Sequence, residues 1–418
     1  MSAPSDSIEA RIAAAGLPPL PRLAWLEIDL GALAANLGTL RSLAGGVPVH
    51  PVVKGDAYGH GAIPVARALV EAGADGLSVA TMDEALELRE AGLTAPIRVL
   101  YPIPTGLVAD AMREGVTIAA GDATTVEALL AAADAARAAG LGADLLLEIE
   151  VETGLGRGGT VPEDIVAVIE RIEASPAARL TGLWTHLQAS EVAATTAGQL
   201  GRFEEAAARV AASGRPVPPR HVAASGGILL RVGGFDGVRP GLSIYGIVPD
   251  ELDELDEVAT PVADGPSLRP VMSLHARPAR VADLPVGHGI SYGPSFTTTR
   301  PSRIATLPLG YGDGFARANA NRAEALVRGM RVPLVGNVTM DAVMADVTDV
   351  PGPPVTTQDE FVLLGAQGDE RIPVERLARQ RTTNTWEVVT SMSGRLPRVY
   401  HAATGAVVGL RTLTRWRG

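Results

Sequence analysis

The sequence predicts an α/β protein, an N-terminal (β/α)8 TIM-type barrel followed by a mostly β C-terminal domain. Three observations carry this. Strand-like runs at about 48–54, 76–80, 97–100, 116–119, 144–150, 179–186, 219–224 and 236–239 alternate with helical spacing, giving eight parallel-type strands in roughly 200 residues. Beyond Gly246 that alternation stops: an acidic, turn-rich stretch at 250–264 leads into short β-patterned runs. Finally, Lys54, Glu150, His186, Ser225 and Arg239 all fall at the C-terminal ends of predicted strands, where a barrel of this kind keeps its active site.

Taken in order, the first 23 residues, rich in Ala, Ser and Pro, read as a flexible arm. Trp25–Leu30 alternates like a half-buried strand and opens a barrel domain spanning 24–260. The β domain follows at 261–418. In it, 271–281, 303–309, 326–338, 343–347 and 360–364 read as strands, and 373–379 and 385–392 as short helices.

The chain has 418 residues, 46% hydrophobic and 20% charged, which suits a globular protein with a real core. A net charge of −11 disfavours nucleic acid and anionic membranes, either of which needs a basic face. A small-molecule partner fits better. With no cysteine there is no disulfide, thiolate metal site or cysteine nucleophile, and no metal is expected. The N-terminus lacks the basic start and apolar block of a secretory signal, so a cytoplasmic protein is expected.

The chemistry concentrates around Lys54. Stiff Val52 and Val53 favour an extended run, and Gly59 and Gly61 allow a tight turn and close approach to a ligand before a helix at 62–71. Such a turn presents an amine and, four residues on, the hydroxyl of Tyr58. Each candidate also has an ordinary structural reading. Lys54 alone suits a surface turn, His186 a hydrogen-bonded core histidine, Tyr292 a half-buried aromatic, Arg239 a loop-anchoring ion pair, Arg157 an exposed charge and Met340 core filling.

The exact words narrow these readings. VVKGDAYGHG at 52–61 resembles the pyridoxal-phosphate lysine motif of the alanine racemase family, which usually reads VVKANAYGHG or VVKADAYGHG, so Gly55 is the one departure. Further matches follow in family order: WLEIDLGALAANL from 25, ETGLGRGG from 152, GLWTHL from 182, HVAASGG from 221 and VRPGLSIYG from 238. GISYG from 289, LPLGYGDGF from 307, GNVTMDAVMADVT from 336 and GRLPRVY from 394 complete the series. The resemblance implies a cytoplasmic, homodimeric amino-acid racemase that supplies D-amino acids for cell-wall peptidoglycan. Each active site of such a dimer combines one subunit's barrel with its partner's β domain.

By the same resemblance, Lys54 carries pyridoxal 5'-phosphate and serves as one catalytic base, and Tyr292 is the other. Racemisation takes the Cα proton from one face and returns one to the opposite face, so two bases are needed. A tyrosine, with an ordinary pKa of about 10, needs positive neighbours to act as a base, and His186 and Arg239 are expected to supply them. Arg239 resembles the residue that faces the cofactor's ring nitrogen. Tyr58, Ser225 and the amides of Gly241 and Leu242, helped by Gly227, match the phosphate cradle. Arg157 matches a contact to the cofactor and the substrate carboxylate, with Met340 and Asp341 also on the substrate.

Three positions depart from the family. Glu150 stands where many members have a carbamylated lysine that orients the arginine; it keeps the negative charge and can pair with Arg157, directly or, since its side chain is shorter, through a water or anion. Ala224 replaces an asparagine. Gly394 replaces a tyrosine that narrows the entry, so substrates larger than alanine are expected unless a neighbour such as Trp386 fills the gap. The alternative is a racemase-like enzyme recruited to another amino-acid reaction. Related barrel decarboxylases, metal-dependent aldolases and cofactor-homeostasis proteins fit less well, because the first two need a cysteine and the last lack a β domain.

Overall fold

A computed structural model describes residues 7–253 and 268–413. Contacts divide the chain into two compact units, one formed by 34–57 and 65–268, the other by 1–33, 58–64 and 269–418.

The first unit is the barrel. Six parallel strands follow chain order: Leu77–Val79, Ile97–Val99, Thr117–Ala120, Leu145–Glu150, Ala178–Trp184 and Arg220–His221. Two more segments close the ring without forming regular strands. Val52 bridges Ser78 and Val49 bridges Val238, both parallel, and Arg239 N–H donates to Ala223 O at 2.9 Å. Prolines explain the irregularity, since Pro48, Pro51 and Pro240 have no N–H to give a ladder. The expected eight strands are therefore six strands and two bridged segments. In Leu145–Glu150, Leu145, Leu147 and Ile149 are fully buried on one face, which leaves Glu148 and Glu150 on the other. Glu150 pairs in register with Trp184, and Trp184 with His221, so these residues lie side by side at the strand ends.

After Lys54 the backbone makes a left-handed turn: φ is 62° at Gly55, 54° at Asp56 and Ala57 and 52° at Tyr58. Consecutive non-glycine residues in this region cost roughly 1–2 kcal/mol each, so glycine at its first position relieves part of the strain. Gly55 N–H donates to Glu84 Oε1 at 2.6 Å, and the other oxygen of Glu84 accepts from Ala80 N–H at 2.8 Å. One carboxylate thus holds the lysine turn and caps the helix Met82–Glu90.

The second unit is built on an eleven-stranded sheet. Its surprise is Ala24–Asp29, which runs parallel to Arg398–His401 and antiparallel to Met272–Ala276. The strand read as opening the barrel range therefore belongs to the β sheet, because its partners lie at the far end of the chain. The N-terminal arm differs from expectation as well. Ser7 caps a helix at Ile8–Ala14, and Ile8 and Ile12 pack with Trp25, Val399 and Val407. Residues 1–6 and the expected boundary at 260 lie outside the described residues.

Two long runs read as single strands are broken in two. Residues 271–281 divide at Pro278 into Met272–Ala276 and Arg280–Leu284. Residues 326–338 hide a hairpin whose turn, Arg328 (φ 53°) and Gly329 (φ 73°), is left-handed at both positions. Gly59 and Gly61 pack closely within this unit. A Cβ at Gly59 would lie 2.3 Å from Val389 O, and one at Gly61 2.0 Å from the Tyr400 hydroxyl.

Candidate active site

Lys54 ends the first bridged segment of the barrel. Burial lowers its pKa below the ordinary lysine value, Arg157 lowers it further, and Glu84 opposes both. A shift in this direction favours the neutral amine, the form that covalent attachment and proton abstraction use.

Glu150 and Arg157 meet directly, Nη2 donating to Oε1 at 3.0 Å. Of the two possibilities the structure takes the direct one, with the 152–159 loop bringing Arg157 back to its own strand end. Burial raises the pKa of Glu150 while Arg157 pulls it down. Tyr101, which the sequence did not single out, lies under this arginine with its ring centre 5.3 Å from Cζ.

Burial, together with Arg239, Arg157 and Lys54, pushes His186 down to about 3. It is neutral at working pH, so of the two expected positive neighbours only Arg239 carries charge. Arg239 is 2% exposed and burial pushes it down to about 9, which leaves it protonated at neutral pH. Its Nη1 donates to His221 Nδ1 and to His221 O at 3.0 Å, and its Nη2 donates to Thr185 O at 2.9 Å. His221 was missed in the sequence because its partners come from three different strands.

Ser225 opens the short helix Ser225–Leu229, and its Oγ accepts from the amides of Gly241 at 3.0 Å and Ser243 at 3.1 Å. The expected cradle is thus partly occupied by its own serine. Leu242 begins the 3-10 turn Leu242–Tyr245. Gly227 makes room for Val232 O, 3.0 Å from where its Cβ would stand. Ser243 Oγ beside this turn is buried with no hydrogen-bond partner. An orphaned hydroxyl among amides and a serine suits an anionic group such as a phosphate. The donor set therefore fits the phosphate of pyridoxal phosphate.

The β unit carries the other expected residues. Tyr58 is buried in it, and Tyr292 is 81% exposed on a turn where Ser291 has φ 67° and Asn337 Nδ2 holds Tyr292 O at 2.8 Å. Met340 is 52% exposed, and its carbonyl accepts from Gly312 N–H at 3.0 Å. Neighbouring Asp341 accepts from Arg395 Nη2 at 2.5 Å. At Gly394 a Cβ would meet nothing within 4 Å, so the space next to the backbone is open there.

Comparison with known proteins agrees with this geometry. The alanine racemase N-terminal domain model matches residues 28–249 and the C-terminal domain model residues 271–400. Alanine racemase of Symbiobacterium thermophilum is 38% identical over 386 residues, 92% of this chain and 98% of that one. A crystal structure of Bacillus anthracis alanine racemase with bound L-Ala-P superposes with a TM-score of 0.83 at 32% identity, covering 94% of this chain and 98% of that one. A histidine racemase of Leuconostoc mesenteroides gives 0.80 at 26% identity, covering 91% and 98%. With both domain models matched in order along most of its length, the chain belongs to the alanine racemase family.

Proposed function

We propose that Lys54 and Tyr292 are the two bases of a racemase whose entry has been widened at Gly394. The protein is an isomerase that interconverts L- and D-alanine using pyridoxal 5'-phosphate. That cofactor, resting on Lys54 and passed to the substrate's amino group, would withdraw electrons from the α-carbon and acidify its Cα–H while freeing the Lys54 amine. Lys54 Nζ, its pKa already lowered, exchanges the proton on one face. The hydroxyl of Tyr292 exchanges it on the other, reaching the reacting carbon from the partner of a homodimer. Support for a shared site is the exposure of Tyr292 and Met340, two large side chains that a second copy would cover. Arg157, held by Glu150, takes the substrate carboxylate, with Met340 and Asp341 supplied, like Tyr292, by the partner subunit. Neutral His186 accepts or donates a hydrogen bond to the tyrosine, and Arg239 supplies the positive charge. Tyr58, Ser225, Gly241 and Leu242 hold the phosphate. Among the described residues no helix is long and apolar enough to cross a membrane, in keeping with a cytoplasmic enzyme that supplies D-alanine.

The observation that carries the wider specificity is the open space at Gly394. A histidine racemase with the same fold supports it, since that protein acts on a side chain much larger than a methyl. The test compares kcat/KM for alanine against serine and longer side chains in the native enzyme and in Gly394→Tyr. Each methylene is worth about 1–3 kcal/mol in an apolar pocket, so the tyrosine should cut larger substrates at least tenfold relative to alanine. A native enzyme confined to alanine would refute the widened entry.

A further inference from the structure

Arg98, Glu148 and His221 form a line of groups that none of the steps above uses. Glu148 is 4% exposed, on the strand face it shares with Glu150. Its Oε1 accepts from Arg98 Nε–H at 2.8 Å, and its Oε2 lies 2.9 Å from His221 Nε2. The far nitrogen of the same imidazole, Nδ1, meets Arg239 Nη1. Space for the carboxylate is kept by Gly182, where a Cβ would stand 3.1 Å from Oε1. Trp184 packs on the His221 and Arg239 end of the line. It stacks on His221 with ring centres 6.1 Å and planes 12° apart, and lies under Arg239 with Cζ 4.9 Å from its ring centre.

Counting donors and acceptors leaves one arrangement. Burial opposes the charge on Glu148, yet His221 and Arg98 hold its pKa down to about 2, so it is an acceptor at both oxygens. Burial pushes His221 down to about 4, so its ring is neutral and carries one proton. That proton must sit on Nε2, facing the carboxylate, and Nδ1 then offers a lone pair to the guanidinium.

We propose that Glu148 is a positioning residue for Arg239: with Arg98 it locks His221 in the Nε2–H tautomer, so that Nδ1 always accepts from Arg239 and fixes the guanidinium. The proposal rests on the reading that Arg239 faces the cofactor's ring nitrogen. A neutral amide cannot replace the carboxylate. In Glu148→Gln the oxygen must turn to Arg98, because arginine only donates, and the NH2 then faces His221 Nε2. That nitrogen becomes an acceptor, the ring proton moves to Nδ1, and two N–H groups confront each other at Arg239.

The test uses the full-length holoenzyme labelled with 15N-histidine, one of its seven histidine signals being assigned by its loss in His221→Asn. The native enzyme should show an unprotonated Nδ1 and a protonated Nε2 on His221 from about pH 6 to 8. In Glu148→Gln the two should exchange, the pH dependence of the cofactor's visible absorbance should shift, and kcat should fall about tenfold with KM little changed. Adding Arg98→Leu frees the glutamine oxygen to face His221, and should restore both the tautomer and most of kcat. A role in packing alone would not give that rescue. An Nδ1–H or doubly protonated His221 in the native enzyme overturns the proposal even if no variant folds. So does an unmoved tautomer in Glu148→Gln, or a moved tautomer with absorbance and kcat unchanged. Absence of a borohydride-reducible adduct at Lys54 overturns the reading of the site and this proposal with it, whereas a wrong tautomer with that adduct intact overturns the proposal alone.

Discussion

Replacing Glu150 by glutamine isolates what its charge does. The side chains of Glu150 and Arg157 are 11% and 33% exposed at 3.0 Å. A hydrogen bond between charged partners contributes about 1.5–3 kcal/mol, and one with a neutral partner about 0.5–1.5. The difference is about 1 kcal/mol, at the low end because water screens a third of the arginine. On the proposed reading Arg157 binds the substrate carboxylate in the ground and transition states alike, so the loss should appear as roughly a fivefold rise in KM with kcat held. The pH dependence gives a second check. Burial raises the pKa of Glu150, so the native KM should climb as pH falls through that value and converge on the glutamine variant, whose own profile stays flat. Polarimetric initial rates with L-alanine from about pH 5.5 to 9 measure both. Removing dissolved bicarbonate should change nothing, because no lysine awaits carbamylation here. An unchanged KM in Glu150→Gln, or native activity that depends on bicarbonate, would refute the reasoning.

Lys54→Ala should abolish the borohydride-reducible adduct and the yellow colour; a persisting adduct places the cofactor elsewhere. Mixing Lys54→Ala with Tyr292→Phe, each inactive alone, should restore one intact site per mixed dimer, and no recovery after proven subunit exchange would count against shared sites. Gly55→Ala puts a side chain at φ 62°, a cost of roughly 1–2 kcal/mol partly offset by a stiffer unfolded chain, so Tm should drop by about 2–4 °C; a rise would show that the turn is unstrained. His50, His186 and His221 are pushed down to about 3, 3 and 4, mainly by burial, whereas the unfolded chain protonates them near 6.5. The unfolded state therefore binds more protons between about pH 6.5 and 4, and each histidine should cost up to about 1.4 kcal/mol of stability per unit as pH falls. Urea midpoints that stay flat between pH 6.5 and 4.5 would contradict that burial.

The reach of the sequence is clearest where a signal is local. Alternating strand and helix periods placed all eight barrel segments, and the turn after Lys54 was visible in its glycines. Periodicity failed where two elements abut without a break in hydropathy. The run 326–338 hides its reversal because Arg328 and Gly329 look like any polar pair in a strand, and only their positive φ reveals the hairpin.

What the sequence by itself determined was the family and the barrel followed by a β domain, and it named the candidate site residues, because these are written in contiguous words. What only the tertiary structure decided depends on partners far apart in the chain. Ala24–Asp29 joins the β sheet because its hydrogen-bonding neighbours are at 272–276 and 398–401. His186 is neutral because burial and three cations surround it, an environment that no motif states. Likewise His221, an unremarked histidine in HVAASGG, becomes the link from Glu148 to Arg239 only when the strands at 145 and 220 and the bridged segment at 238 lie within one ring and bury all three side chains.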